Sequence, residues 1–223
     1  MLVVVGGHSR NIGKTSVVAG LIRKLRDRHW TAVKITQYGH GICAHKNQAC
    51  GCEAEPDHPF ALSEEYEPGP TDSGRFLAAG AERSFWLRTP AGELARAAGT
   101  LRKILDQSEP AGELARAAGT LRKILDQSEN VIVESNSVVE LVQPDVFLML
   151  LDFSCQDFKA SSMRLLDRAD AFVVIDRGIN APLWEDVSRG LWDRKPQFLV
   201  KPPRYVTAAV SDFVKSRLSP SLG

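Results

Sequence analysis

The chain has 223 residues, 43% of them hydrophobic, which is enough to bury one full α/β core with room for an insertion. Its 28 basic and 27 acidic residues nearly cancel, which excludes the basic footprint of a nucleic-acid binder and a polybasic membrane anchor. No run approaches the ~18 apolar residues of a membrane span and no basic leader precedes Leu2, so a cytoplasmic location is the expectation.

Leu2–Val5 is a β-branched run and reads as the first strand. It leads into a polar loop, Gly6-Gly7-His8-Ser9-Arg10-Asn11-Ile12-Gly13-Lys14-Thr15-Ser16. A helix from about Thr15 to Arg28 follows, with Val17, Val18, Leu21, Ile22 and Leu25 on one face and basic residues opposite. Strand, glycine-bearing loop ending in Gly-Lys-Thr, and helix form the layout of a phosphate-binding loop. Loop amides and the helix N-terminus converge on anionic oxygens in such a loop. Gly13 allows the close wrap, Lys14 supplies a point charge to the terminal phosphates, and the Thr15 hydroxyl holds Mg²⁺. The candidate ligand-contacting residues are Gly7, His8, Asn11, Ile12, Gly13, Lys14, Thr15 and Ser16. The strict pattern asks for glycine where His8 stands, and Gly7 comes one residue early.

Thr31–Thr36 reads as the second strand, with Lys34 and Thr36 at its end beside the loop. Either side chain would reach the terminal phosphate or a substrate, or simply face solvent. A long polar stretch runs from Gln37 to about Pro70, and a loop of that length is usually functional. It carries Cys43, Cys50 and Cys52 with His40, His45 and His58 interleaved. Three thiolates and the His45 imidazole would make a tetrahedral zinc site; metal transfer or redox lability are the other readings. Thr71–Ala79 reads as a short helix that Asp72 either caps or uses to reach the phosphate and Mg²⁺. Ser84–Leu87 reads as the third strand.

Residues 90–109 then recur unchanged as residues 110–129. Each copy is amphipathic, with Leu94, Ala98, Leu101 and Leu105 on one face of the first. Twenty residues turn a helix by about 200° beyond whole turns, so one continuous helix would point the two apolar faces apart. Pro110 also disfavours helical geometry at Glu109, which predicts a break near Ser108–Pro110. One copy is expected to fill the strand-to-strand crossover, starting best from Thr89 as its N-cap. The other is expected to be a functionless extra helix whose exposed apolar face could pair two chains into a homodimer.

Asn130–Val133 and Asp145–Leu151 read as the fourth and fifth strands, both continuously apolar as a sheet covered on two faces requires. Cys155 reads as a lone buried thiol. Ala160–Arg168 reads as helix, Ala171–Ile175 as the sixth strand, Trp184–Leu191 as helix and Gln197–Val200 as the seventh strand. Val206–Leu218 closes the chain as a helix with Ala209, Val210, Phe213 and Val214 inward. The alternation predicts one α/β domain over the whole chain, three-layered around a mostly parallel sheet, with the Cys/His-rich loop at 37–70 and the duplication at 90–129 as additions. Ligands on such sheets bind at the carboxyl ends of the strands. Glu134 closes the fourth strand there, where a carboxylate would hold Mg²⁺ directly or through water. No Asn-Lys-x-Asp segment marks a guanine reader; Ile175-Asp176-Arg177 and Val200-Lys201-Pro202 occupy the strand ends where a base-reading loop could lie.

Gly7 to Thr15 resembles the loop of dethiobiotin synthetases and cobyrinate amide synthases. Three later segments resemble the molybdopterin-guanine dinucleotide biosynthesis protein B family: Val33-Lys34-Ile35-Thr36, Asp72 through Ala81, and Ile132-Val133-Glu134-Ser135. The likeness covers residues 1 to about 135, and Ser135-Asn136 stands where that family has a small glycine turn. The resemblance implies a P-loop NTPase that binds GTP with Mg²⁺ and hydrolyses it weakly. It implies a role assisting a partner transferase that attaches the nucleotide to molybdopterin. Lys14 and Glu134 would be its catalytic groups, and Lys34 and Asp72 would join the loop in holding the nucleotide. Two other classes remain open. An ATP-dependent ligase would activate a carboxylate as an acyl phosphate, and a metal-delivery protein would gate its Cys/His loop by nucleotide state.

Overall fold

The computed structural model describes residues 1–38, 61–90, 124 and 126–218. The zinc candidates Cys43, Cys50, Cys52 and His45, the first expected helix of the duplication, the break near Ser108–Pro110 and all but the end of the second expected helix lie outside the described residues.

The hydrophobic runs form an eight-stranded sheet of order β3-β4-β2-β5-β1-β6-β7-β8. The strands are β1 (Leu2–Gly7), β2 (Thr31–Tyr38), β3 (Ala61–Glu65), β4 (Arg83–Pro90), β5 (Val131–Glu134), β6 (Val146–Asp152), β7 (Ala171–Ile175) and β8 (Gln197–Val200). All pairings are parallel except the edge pair β3–β4. The helices are α1 (Lys14–Lys24), α2 (Asp72–Ala79), α3 (Ala160–Met163) and α4 (Ala208–Leu218).

Residues alternate across each strand, so every central strand feeds two cores. Val3, Val5, Ile132, Leu148 and Val173 pack against α1, α2 and α4 through Leu21, Ile22, Phe76, Val210 and Val214. Val4, Val33, Val133, Phe147 and Met149 pack on the opposite face with Leu165, Leu166, Trp184 and Trp192. Ile124, from the second copy of the duplicated segment, is buried in this second core. The result is a three-layer α/β fold. Among the described residues no helix is long and apolar enough to cross a membrane.

Several expected elements differ. β3 falls inside the stretch expected to be loop. An edge strand needs little apolar surface, and Glu64 holds it to β4 through both arms of Arg83 at 2.8 and 3.0 Å. β2 continues to Tyr38, so Lys34 sits within the strand rather than at its end. The expected helix at Trp184–Leu191 is absent apart from a 3₁₀ turn at Arg189–Leu191. Pro182 and Gly190 punctuate that segment, and Trp184, Val187 and Trp192 are buried as a plug rather than as a helical stripe. Ala160–Arg168 splits into α3 and a 3₁₀ turn at Leu166–Arg168. Ala209 faces solvent, while Val210, Val214 and Leu218 form the inward stripe of α4. Cys155 is half-buried instead of buried.

Candidate functional site

The site forms where β1 and β5 end beside the middle of β2. The register puts Val5 beside Glu134 and Glu134 beside Lys34. A basic residue and an acidic one therefore reach the same edge as the loop that leaves β1.

That loop is fixed from three directions. Asn136, just after β5, accepts from Gly7 N at 2.7 Å and donates to Gly7 O at 2.8 Å. A Cβ on Gly6 would come within 2.5 Å of the same amide, so only glycine permits the approach. Ile12 is buried in the core beneath the loop. The segment after β6 straps the outside: Lys159 N donates to His8 O at 3.0 Å, and Ser9 Oγ donates to Asp157 Oδ2 at 2.5 Å. Asn11 takes φ 55°, which asparagine tolerates. Gly13 takes φ 101° and starts α1 with no side-chain cap and no acidic residue in the first turn. Its first N–H groups are left for an anion.

His8, expected among the ligand-contacting residues, is instead a packed residue. Its N–H donates to Leu150 O at 3.1 Å, its Nε2 accepts from Asp152 N at 3.0 Å, and its Nδ1 lies 3.1 Å from Asp157 O. Its ring stacks on Phe158 at 4.9 Å and lies 4.7 Å from Trp184. Burial drives its pKa down to about 4, so the ring is neutral. No face of it is left for a ligand.

Lys14 Nζ donates to Ser9 O at 2.7 Å. Burial lowers its pKa to about 8, and the charges of Lys159 and Lys34 add to the effect. Lys159 is itself pushed down by burial, and next by Arg10. Three lysines thus converge on the loop, an arrangement that an anionic ligand would relieve.

Across from them, Thr15 Oγ1 donates to Glu134 Oε2 at 2.8 Å, and Glu134 is only 2% exposed. Lys34 Nζ makes a short hydrogen bond to Glu134 Oε1 and lies 2.9 Å from Asp72 Oδ2. Burial alone would lower the Lys34 pKa, but Glu134 and Asp72 outweigh it and raise it. Burial would raise the Asp72 carboxyl; Lys34 and the Thr15 hydroxyl hold it down. Asp72 does not cap α2. Thr71 does, accepting from Gly74 N at 2.9 Å, which leaves the Asp72 carboxylate for Lys34. Thr36 is spent on Trp86 Nε1 at 3.0 Å, away from this cluster.

The Thr15 hydroxyl with the Glu134 and Asp72 carboxylates forms a set of hard oxygen donors, which fits Mg²⁺. Among the described residues no group of three or more His, Cys, Asp and Glu side chains could hold a metal. Beside Ser16, whose Oγ accepts from Arg75 Nη2 at 3.1 Å, a groove of about 420 Å³ opens along α1. Arg23, Lys24, Arg75 and Arg204 line it, and no carboxylate does. Tyr205 walls it off next to Gly13, where a Cβ would meet the Tyr205 ring at 2.4 Å. Of the base-reading candidates, Asp176 turns its Oδ1 to Gly178 N at 2.8 Å, Arg177 reaches Asp152 at 3.4 Å, and Lys201 bridges to Arg204.

Sequence reasoning missed Asn136, Asp157, Lys159 and Tyr205. An Asn in the residue pair after an apolar strand is the one signal that could have drawn attention to the first. The other three reach the loop only through the register of β6 and β8.

No family profile matches the chain. No curated protein matches it either. Solved structures similar to it include HypB from Helicobacter pylori in complex with nickel, with a TM-score of 0.49 and 14% identity over 97% of this chain and 85% of that one. LpxK from Aquifex aeolicus in complex with ATP has a TM-score of 0.43 and 16% identity over 89% of this chain and 53% of that one. The signal recognition particle 54 kDa protein from Aeropyrum pernix K1 in complex with GDP has a TM-score of 0.41 and 15% identity over 98% of this chain and 46% of that one. The strand order and the loop between β1 and α1, with the carboxylate of Glu134 at the end of the neighbouring β5, give this chain a three-layer α/β fold with a mostly parallel sheet and a glycine-bearing loop at the helix N-terminus.

Proposed function

We propose that this chain binds a nucleoside triphosphate with Mg²⁺, favours GTP over ATP, and hydrolyses it slowly. The observation that carries the proposal is the hydrogen bond from Thr15 to the buried Glu134, directly behind a loop whose helix starts at Gly13 without a cap. Loop amides and Lys14 would hold the phosphates, while Thr15, Glu134 and Asp72 would hold the ion. Bound there, Mg²⁺ would neutralise charge on the phosphate oxygens. Asp157 and Lys159 would keep the loop in place. In the loaded state Glu134 and Asp72 would be taken up by the ion, which leaves neither of them poised as a general base for water. Slow hydrolysis follows.

The groove beside Ser16 would receive the nucleoside. Its cationic side chains are donors without acceptors, which suits the O6 and N7 acceptors of guanine better than the N6 donor of adenine. The resemblance of the Lys34, Asp72 and Glu134 segments to molybdopterin-guanine dinucleotide biosynthesis protein B extends the proposal. The bound nucleotide would serve a partner transferase that attaches it to molybdopterin, and the chain would act as an accessory. Displacement of a fluorescent GTP analogue by GTP and ATP tests the reading. GTP should compete about tenfold better than ATP. Equal competition would remove the guanine preference, and no binding of the analogue would remove the reading.

A further inference from the structure

We propose that Lys34 is an exchangeable internal cation: in the free protein its ammonium fills the place of the divalent ion between Glu134, Asp72 and Thr15, and it leaves for the terminal phosphate when metal and nucleotide bind together. The inference rests on the phosphate-loop reading above.

Glu134 is 2% exposed, and Lys34 is the cation in contact with it. A carboxylate that deeply buried requires a compensating charge at all times. Asp72 is different, because Arg75 approaches its other oxygen at 3.7 Å from the solvent side. The Lys34 ammonium is held by two carboxylates, Glu134 and Asp72, and the Thr15 hydroxyl hydrogen-bonds to both of these, so the oxygens gathered here are all hard. These are the groups a small divalent ion would choose. A lysine head and such an ion cannot share the position.

The stem of Lys34 also favours movement. It leaves β2 opposite Glu134 in the register and carries its charge on four methylenes. The loop lysine already feels that charge, as does Lys159 on the far side of the loop. A short swing would bring the ammonium to a phosphate held at Lys14.

The exchange couples the two ligands. Metal alone must evict Lys34 while no phosphate waits to receive it. Nucleotide alone draws Lys34 away and leaves the buried Glu134 without a compensating cation. Each ligand should therefore bind poorly without the other, and the coupling is reciprocal.

The test uses Mn²⁺ as the probe, read by electron paramagnetic resonance on the full chain without nucleotide. Lys34→Met should bind Mn²⁺ about tenfold or more tightly than the wild type, because its carboxylates have no internal cation. Lys34→Arg, which keeps the charge, should stay as weak as the wild type. Equal Mn²⁺ affinity in wild type and Lys34→Met, with inorganic triphosphate still bound, would overturn the exchange alone. Failure of the wild type to bind inorganic triphosphate with Mg²⁺ would overturn the phosphate-loop reading and the exchange with it. Should Lys34→Met not fold, the wild type decides. A zero-length carbodiimide should cross-link Lys34 to Glu134 or Asp72 in the free protein and lose that link with Mg²⁺ and GTP. Persistence of the link in the loaded protein would contradict the proposal.

Discussion

Asn136 grips Gly7 with both ends of its amide, accepting from the N–H at 2.7 Å and donating to the carbonyl at 2.8 Å. The same Nδ2 reaches Ser162 Oγ at 2.7 Å, and Ser162 Oγ donates back to Gly7 O at 3.1 Å. On the β5 side the start of the loop is thus tied by the Asn136 and Ser162 side chains, while on the other side Gly7 still pairs with Leu150 of β6. Both ties go to backbone groups that an ordinary ladder would have paired.

Asn136→Ala removes the Asn136 bonds, leaving Gly7 N–H without its acceptor and Gly7 C=O with Ser162 Oγ alone. The expected cost is about 1–3 kcal/mol of stability, read as a lower urea midpoint with unchanged slope. Nucleotide affinity should fall as well, because the loop entry loses its anchor. A variant as stable and as tight-binding as wild type would show that β1 alone positions the loop.

Gly13 combines φ 101° with a Tyr205 carbon 2.4 Å from where a Cβ would lie. Gly13→Ala therefore suffers twice, from backbone strain of about 1–3 kcal/mol and from the ring. Adding Tyr205→Ala should relieve the ring contact and recover only part of the lost melting temperature. Full recovery would mean that the backbone bears no strain at this position.

His8 carries a pH dependence whose sign follows from its burial. Its pKa falls from 6.5 to about 4 on folding, so the unfolded chain binds the proton that the folded chain refuses. Its stabilising neutral form is fully present above pH 6.5 and lost as pH falls toward 4. The slope contributed is about 1.4 kcal/mol per pH unit at most. His8→Gln, which keeps an acceptor for Asp152 N, should flatten the urea-midpoint profile between pH 6.5 and 4. An unchanged profile would place the acid sensitivity elsewhere.

Much of this site is legible in the sequence, and the reasons differ by residue. Gly13, Lys14 and Thr15 announce themselves because strand, loop and helix are local patterns with fixed spacing. Glu134 is legible because an apolar strand must end at the sheet edge where ligands bind. His8 misleads: the motif asks for a small residue there, and only the tertiary structure shows Phe158, Trp184 and the Asp152 amide making room for the ring. Asp72 is legible only as two alternatives, since an acidic residue at a helix start can cap the helix or reach past it, and only the structure shows Thr71 in the capping role. Asn136 and Lys159 are illegible because their partners, Gly7 and His8, lie more than a hundred residues away and meet them only through sheet register. The segment at Trp184 carries helical spacing by accident of a plug whose Trp rings pack around Phe153 at 5.4 and 5.5 Å.

The duplicated segment makes its own prediction. Its copies are identical, so deleting either leaves the same chain. One helix suffices for a parallel crossover. The shortened protein should therefore keep its secondary structure by circular dichroism and its nucleotide affinity. Any self-association that the second apolar face supports should disappear in sedimentation. A shortened chain that fails to fold would show that both copies are needed.

The most direct measurement is calorimetric titration of GTP with Mg²⁺ into the protein and into Lys14→Ala. Saturable binding at one nucleotide per chain, weakened at least about a hundredfold in the variant, is the expected result, since a buried lysine on phosphate is worth a few kcal/mol. Equal heats in both proteins, or none in either, would contradict the central claim that the loop from Gly7 to Thr15 holds the phosphates.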